Sequence, residues 1–361
     1  MLALVCWSAG SAFGAGPAAV PTLHVTDLFR PHNDPDDHWD LATQYALAWQ
    51  GKVDLRGVMI DHPNAGWAKA PDIGAVAQMN HITGRAVPVV VGSPRVPAAE
   101  EMRTSATAAE LAGVRAFLEL MRQSPRPVVI HVVGTCRDVA LAARMEPELF
   151  ARRCAGIYLN AGSGTPDSAK ARQREYNVAL DPTSYAAMFD MPCPVYWLPC
   201  FEEVGSPQGG GHRVATYGSF YRFRQGEILP CLSERVQNYF MAMYAGGKTA
   251  DGLWLQQLAA PKNAEALAGQ GNRERNMWCT AGFLHAVGLT VTKSGEIVPP
   301  KSAKEPVFVF DPIRVNCSAD GVTEWSNDPR SRNRFILRVT DVECYQSAMT
   351  AALKSLVTKL P

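Results

Sequence analysis

A chain of 361 residues is long enough to bury a large core, so at the outset one big domain is as open as two smaller ones. Hydrophobic residues at 47% and charged residues at 19% exclude a disordered chain. A net charge of +1 leaves no overall field to gather nucleic acid or an anionic membrane, so local geometry must select the ligand.

Residues 1–19 are apolar and rich in small side chains, with Ala12-Phe13-Gly14 as a cleavage site, and the stretch resembles a secretory signal peptide. The expectation is export to the periplasm or medium, with the cytoplasm as the location if this segment is not a signal. No later run reaches the ~20 apolar residues of a membrane span, so no membrane partner is expected.

Leu23 to Thr26 reads as a strand running into an acidic, proline-containing loop, and Asp40 to Trp49 follows as a helix. Leu55 to Ile60 is a strand, Ile73 to Thr83 a helix, and Pro88 to Val91 a strand. Ala106 to Arg122 reads as a long amphipathic helix, before the most apolar strand of the chain, Val128 to Val133. A helix from Val139 to Arg144 and a strand from Gly156 to Leu159 continue the alternation. Such alternation at βαβ spacing predicts an α/β fold, a mostly parallel sheet flanked by helices in a single domain. Beyond about residue 200 the pattern loosens. Gly205 to His212 reads as a loop, Ser233 to Ala245 and Ala250 to Leu258 as helices, Gly295 to Arg334 as short β pieces, and Val342 to Leu360 as a closing helix.

Nine cysteines are present, Cys6 within the leader. The other eight form no CxxC pair, which argues against structural zinc, and their apolar surroundings predict mostly buried free thiols.

The chemistry concentrates after the first strand. Asp27, Asp34, Asp36, Asp37 and Asp40 fall within fourteen residues, at the strand end where parallel α/β sheets place ligands. Left unpaired, these carboxylates would repel one another and raise each other's pKa. A hard divalent cation removes that cost, and oxygen ligands suit calcium or magnesium. An acidic cap on the following helix is the plainer reading, for which one or two Asp would suffice.

Thr26-Asp27-Leu28-Phe29-Arg30-Pro31-His32-Asn33-Asp34-Pro35-Asp36-Asp37 resembles the amino-terminal aspartate motif of the inosine–uridine-preferring nucleoside hydrolases. The resemblance continues in order through Val132 to Ala142, Gly156 to Gly162, Glu175 to Pro182 and Val339 to Leu353. It implies a calcium ion, a small ribosyl substrate and a homodimer or homotetramer. Asp36 and Asp37 match the paired aspartates, Asp36 toward sugar hydroxyls and catalysis, Asp37 toward the metal. Either Asp27 or Asp34 takes the place of the upstream aspartate that binds metal and accepts a proton from water. Arg137 stands where a backbone carbonyl binds the ion. Asn160, Glu175 and Asn177 match sugar contacts.

One departure stands out. The family's late His-Asp pair corresponds here to Trp278-Cys279, so a metal ligand and a leaving-group contact are replaced. Asp27 or Asp40 is then expected to fill the vacated coordination position, and His38, His212 or His285 to protonate the leaving group. Trp278 is a candidate stacking surface for a flat ring, and the glycine-rich loop before His212 a candidate lid. The implied activity is hydrolysis of an N-glycosidic bond. A non-catalytic ribosyl-binding protein and a hydrolase of another glycoside are the rivals, since fold does not fix function.

Overall fold

The computed structural model describes residues 18–31, 35–97, 101, 107–167, 169–172, 174–203, 212–244 and 253–361. Asp34, residues 1–17 and the glycine-rich segment 204–211 lie outside them.

Nine strands form the main sheet: β1 (Val20–Thr26), β2 (Val53–Ile60), β3 (Val89–Val91), β4 (Val128–Val132), β5 (Cys154–Asn160), β6 (Val195–Leu198), β7 (Phe308–Cys317), β8 (Thr323–Asn327) and β9 (Arg334–Val339). Their spatial order is β8-β7-β9-β6-β5-β4-β1-β2-β3. The seven strands from β9 to β3 pair in parallel, and β7 and β8 extend the edge antiparallel. The central strands are apolar almost throughout (β4 is buried at all five positions) because helices cover both faces. One core cluster gathers the helices Asp36–Trp49, Glu234–Tyr244 and Val342–Val357, and a second lies under Ala112–Gln123 and Arg137–Met145. The mostly parallel sheet expected from the alternation is therefore present. Its antiparallel edge was visible in the sequence only as short β pieces.

The topology fixes where a ligand goes. From β1 the chain moves out through β2 to β3, then returns to the other side of β1 at β4. Loops leaving β1 and β4 diverge at this reversal and open a crevice at the strand carboxyl ends. Thr26, the last residue of β1, pairs in register with Ile60 of β2, so Asp27 and Asp61 follow side by side. Gly134-Thr135 leaves from β4 on the opposite flank, with Val133 N–H donating to the Val25 carbonyl at 2.9 Å.

Several boundaries differ from expectation. The first helix begins at Asp36 rather than Asp40, with Pro35 preceding it, and Asp36 and Asp37 occupy its first turn. Negative charge there complements the unpaired N–H groups and macrodipole of the helix end, although no side-chain cap bond closes the helix start. The long helix was expected from Ala106, which lies outside the described residues; among them it starts at Ala112, after turns at 107–111. Of the expected Ala250–Leu258 helix, Trp254–Leu258 is helical among the described residues. The cysteines from Cys136 onward are free, and five of them, Cys136, Cys154, Cys193, Cys200 and Cys279, are buried as anticipated. Among the described residues no helix is long and apolar enough to cross a membrane.

Candidate active site

Carboxylates crowd the crevice. Asp37 is buried beneath the end of β1, where the Thr26 hydroxyl donates to its Oδ1 at 2.5 Å. Burial raises its pKa well above the usual carboxylate range. The charges of Asp27 and Asp36 push the same way, against the Thr26 bond, and Asp40 adds to them. Asp40, one turn further along the helix, is buried beside the Cys279 thiol, and its pKa is pushed up to about 7, by burial first and against the thiol's hydrogen bond. The sequence reading missed Asp61. Buried at 1% exposure, it accepts the Thr135 N–H at 2.6 Å, and burial followed by the charges of Asp27 and Asp138 raises its pKa. Asp27 acts electrostatically on Asp37, Asp40, Asp61 and Glu175, which makes it the hub of the cluster.

Opposite the aspartates stand the expected sugar contacts. Glu175 caps the helix Tyr176–Leu180, accepting from the N–H groups of Asn177 (3.0 Å), Gly162 (2.9 Å) and Val178 (3.4 Å). Burial raises its pKa against those three bonds. Asn177 donates through Nδ2 to the Val133 and Asn160 carbonyls (3.1 and 3.4 Å), leaving its buried Oδ1 with no partner. Asn160 spends both amide hydrogens on the Leu198 carbonyl (2.9 Å) and Ser219 Oγ (3.0 Å), and its Oδ1 accepts from Cys279 Sγ at 2.8 Å. The structure thus joins Asn160, Asn177 and Glu175 in one bonded wall, with the Asp27 charge within reach of Glu175. At the rim Tyr176, 48% exposed, stacks on Trp67 with centroids 6.3 Å apart, and partial burial, followed by the charges of Asp27, Asp37, Asp61 and Glu175, raises its pKa.

Other candidates are placed elsewhere. The Arg137 guanidinium turns to the Ser93 and Pro94 carbonyls (3.1 and 3.2 Å) and Asn64 Oδ1 (3.4 Å), so any metal contact falls to its backbone carbonyl. Trp278 packs edge-on to Phe201 with centroids 5.9 Å apart, beside Phe220, as part of a small aromatic cluster. His38 Nε2 bonds Asp72 Oδ2 at 3.1 Å, and Asp72 caps the helix Ile73–Thr83, so this histidine ties two helices together. His285 bonds the Tyr158 hydroxyl at 2.8 Å within the aromatic layer on the sheet, and burial lowers its pKa to about 4. Both rings are thereby tied into the packing of the fold. The His212 ring lies flat on Phe201, centroids 4.2 Å apart.

Does the crevice fit a cation? Carboxylate oxygens dominate its donors, with the Cys279 thiol on Asp40 and the Cys200 thiol on Glu175, and Asp61 Oδ1 is buried with no partner. Gly134 leaves room where a Cβ would lie 2.3 Å from Asp61 Oδ2. Among the described residues no three His, Cys, Asp or Glu side chains converge on one point, and Asp34 lies outside them. The described side chains do not by themselves complete a metal site, although carboxylate oxygens are the donors that a hard cation prefers.

These features define a class: α/β proteins whose parallel sheet carries a buried, acceptor-rich carboxylate site at its point of strand reversal. The family model of the inosine-uridine preferring nucleoside hydrolase matches residues 33–244, more than half of the chain, and the chain belongs to that family. Among solved structures, an inosine-guanosine nucleoside hydrolase is 14% identical, with a TM-score of 0.52 over 94% of this chain and 99% of that one. A plant nucleoside hydrolase is 13% identical, with a TM-score of 0.51 over 94% and 99%. The type III effector protein XopQ, complexed with adenosine diphosphate ribose, is 16% identical, with a TM-score of 0.51 over 95% of each chain. At these identities the likeness is one of fold. Among curated proteins none matches.

Proposed function

We propose that the protein hydrolyses the N-glycosidic bond of a nucleoside or related ribosyl compound, with a calcium ion among its strand-end carboxylates. One observation carries the reading: the side chains of the wall offer acceptors and almost no spare donors. Both amide hydrogens of Asn160 and the Nδ2 of Asn177 are spent on the protein, whereas Asn177 Oδ1 and Asp61 Oδ1 remain without partners. A buried surface of acceptors suits a ligand made of donors, namely the vicinal hydroxyls of a sugar and a hydrated cation.

The ion would be held by Asp37 with Asp27 or Asp34 and the Arg137 carbonyl, and when bound it lowers the pKa of a water beside it. Asp27 or Asp34 then takes a proton as general base. Asp36 and Asn177 accept sugar hydroxyls, and the Glu175 carboxylate, fixed by three main-chain N–H groups, stabilises positive charge growing on the ring. Holding the ring against these fixed groups removes much of the orientational cost of the reaction. A homodimer or homotetramer and export from the cytoplasm belong to the same proposal.

The replacement of the late His-Asp pair favours a second reading. The Cys279 thiol is buried and bonded to Asn160, and it offers neither a carboxylate to the ion nor an acid to the leaving group. A ribosyl-binding protein without turnover is consistent with that. Release of free ribose from inosine, uridine or a nitrophenyl riboside separates the two readings. Turnover abolished by a chelator and restored by calcium supports the enzyme. Ribose or ADP-ribose binding without release on any of these substrates supports the binder and overturns the catalytic proposal.

A further inference from the structure

We propose that Cys154 and Cys193 form a modification site outside the candidate active site, a dithiol that closes into a disulfide by exchange with an external disulfide. The sheet brings the two together. Cys154 opens β5, and Cys193 stands just before β6. Ile157 pairs with Val195, and Ile157 N–H donates to the Pro194 carbonyl at 2.9 Å, so the chain at Cys193 enters the sheet beside the start of β5. Neighbouring strands lie about 4.8 Å apart, within the roughly 4.4–6.8 Å that a disulfide spans between Cα atoms. The two thiols are hydrogen-bonded to each other and share one core cluster. Other buried thiols face different groups: Cys200 bonds Glu175, and Cys279 bonds Asp40 and Asn160.

The pair is chemically asymmetric. Burial pushes the Cys154 thiol well up, and its bond to Cys193 adds to the shift. The Cys193 thiol is lowered, by the Cys154 bond first and, against burial, by the charge of Arg334. That guanidinium is anchored on the Phe189, Met191 and Cys193 carbonyls at 2.7, 2.7 and 3.1 Å. Cys193 is therefore the attacking sulfur. It displaces one sulfur of the external disulfide as a thiolate, which takes up the proton that Cys193 gives away. The Cys154 sulfur then attacks Cys193 in the mixed disulfide, and the second departing thiolate takes up the Cys154 proton. One S–S bond forms in the protein, one breaks in the oxidant, and two electrons pass to the oxidant. Exposed Ala155 and Pro192 flank the pair, which brings both thiols close beneath the surface. Asn160, at the other end of β5, lies about 20 Å away, so the bond staples the amino ends of β5 and β6 without touching the carboxylates.

The test equilibrates the folded full chain with oxidised glutathione, quenches it in acid, and alkylates the remaining thiols under denaturing conditions. Mass spectrometry without reduction then counts the alkylated thiols and maps linked peptides. Against the fully reduced protein, the oxidised one should lose two alkylatable thiols and yield a peptide joining Cys154 to Cys193. Cys154→Ser should stop at the mixed disulfide, with one glutathione on Cys193, whereas Cys193→Ser should take up none at Cys154. The linked peptide is read on the wild type, so the test stands even if a variant does not fold. A wild type that keeps every thiol, or whose bond joins other cysteines, overturns the proposal. Glutathione on Cys154 in Cys193→Ser overturns the order of attack. No readout depends on turnover, so the outcome is separate from that of the catalytic reading.

Discussion

Asp40→Asn is expected to stabilise the cation-free protein, and by an amount that grows with pH. Asp40 is buried with the weakly donating Cys279 thiol as its hydrogen-bond partner, and burial, with a contribution from Asp27, places its pKa at about 7 against 3.8 for an unperturbed group. The neighbouring Cys279 thiol pulls the other way but does not reverse the shift. The folded state therefore holds its proton to higher pH than the unfolded chain, so stability falls as pH rises from near 4 to near 7. At about 1.4 kcal/mol per unit, ionising Asp40 costs on the order of 4 kcal/mol at pH 8 and under about 1 kcal/mol at pH 4. The amide has nearly the same shape and carries no charge. Urea unfolding of the chelator-treated wild type and variant at pH 4, 6 and 8 should show a stability gap that opens steadily in favour of the variant. A gap that stays flat with pH, or a variant less stable than wild type at pH 8, would refute the argument from burial.

Asp37→Asn should lower calcium affinity and reduce ribose release at least a hundredfold, while raising the melting temperature of the stripped protein by removing a charge from a repulsive cluster; steady-state kinetics beside calorimetry checks both. Asn177→Ala removes two main-chain bonds and the free Oδ1, and should weaken ribose binding about 10- to 100-fold, read as a rise in KM or Kd. Acid should act through His24 of β1 and through His285, half-buried in the helix Thr280–Ala286. Burial lowers His24 to about 3 and His285 to about 4, so each contributes stability above pH 6.5 that is lost as pH falls toward those values, about 2 kcal/mol per group by pH 5. His24→Phe should flatten the acid side of the stability curve, and an unchanged slope in urea unfolding would contradict this.

The parallel sheet was legible because its central strands are continuous apolar runs spaced by helices, and the site because five aspartates follow the first of them. Asp61 obeys the same rule, standing directly after β2, but a lone Asp before His62-Pro63 reads as a turn residue until the register sets it beside Asp27. The early helix start was hidden by Pro35, which breaks a helix internally but is tolerated at its start. Side-chain direction was the least legible property. Nothing in the sequence distance between His38 and Asp72, or Tyr158 and His285, announces bonds of 3.1 and 2.8 Å that tie both histidines into the fold. The orientation of Asn160 likewise depends on Cys279, 119 residues away in the chain.

A crystal structure of the protein grown with calcium and ribose tests the central claim most directly. The account predicts a cation about 2.3 to 2.6 Å from carboxylate oxygens of Asp37 and Asp27, with ring hydroxyls on Asp36, Glu175 and Asn177. Ribose bound away from these residues, or calcium bound elsewhere while the aspartates stay bare, would contradict it.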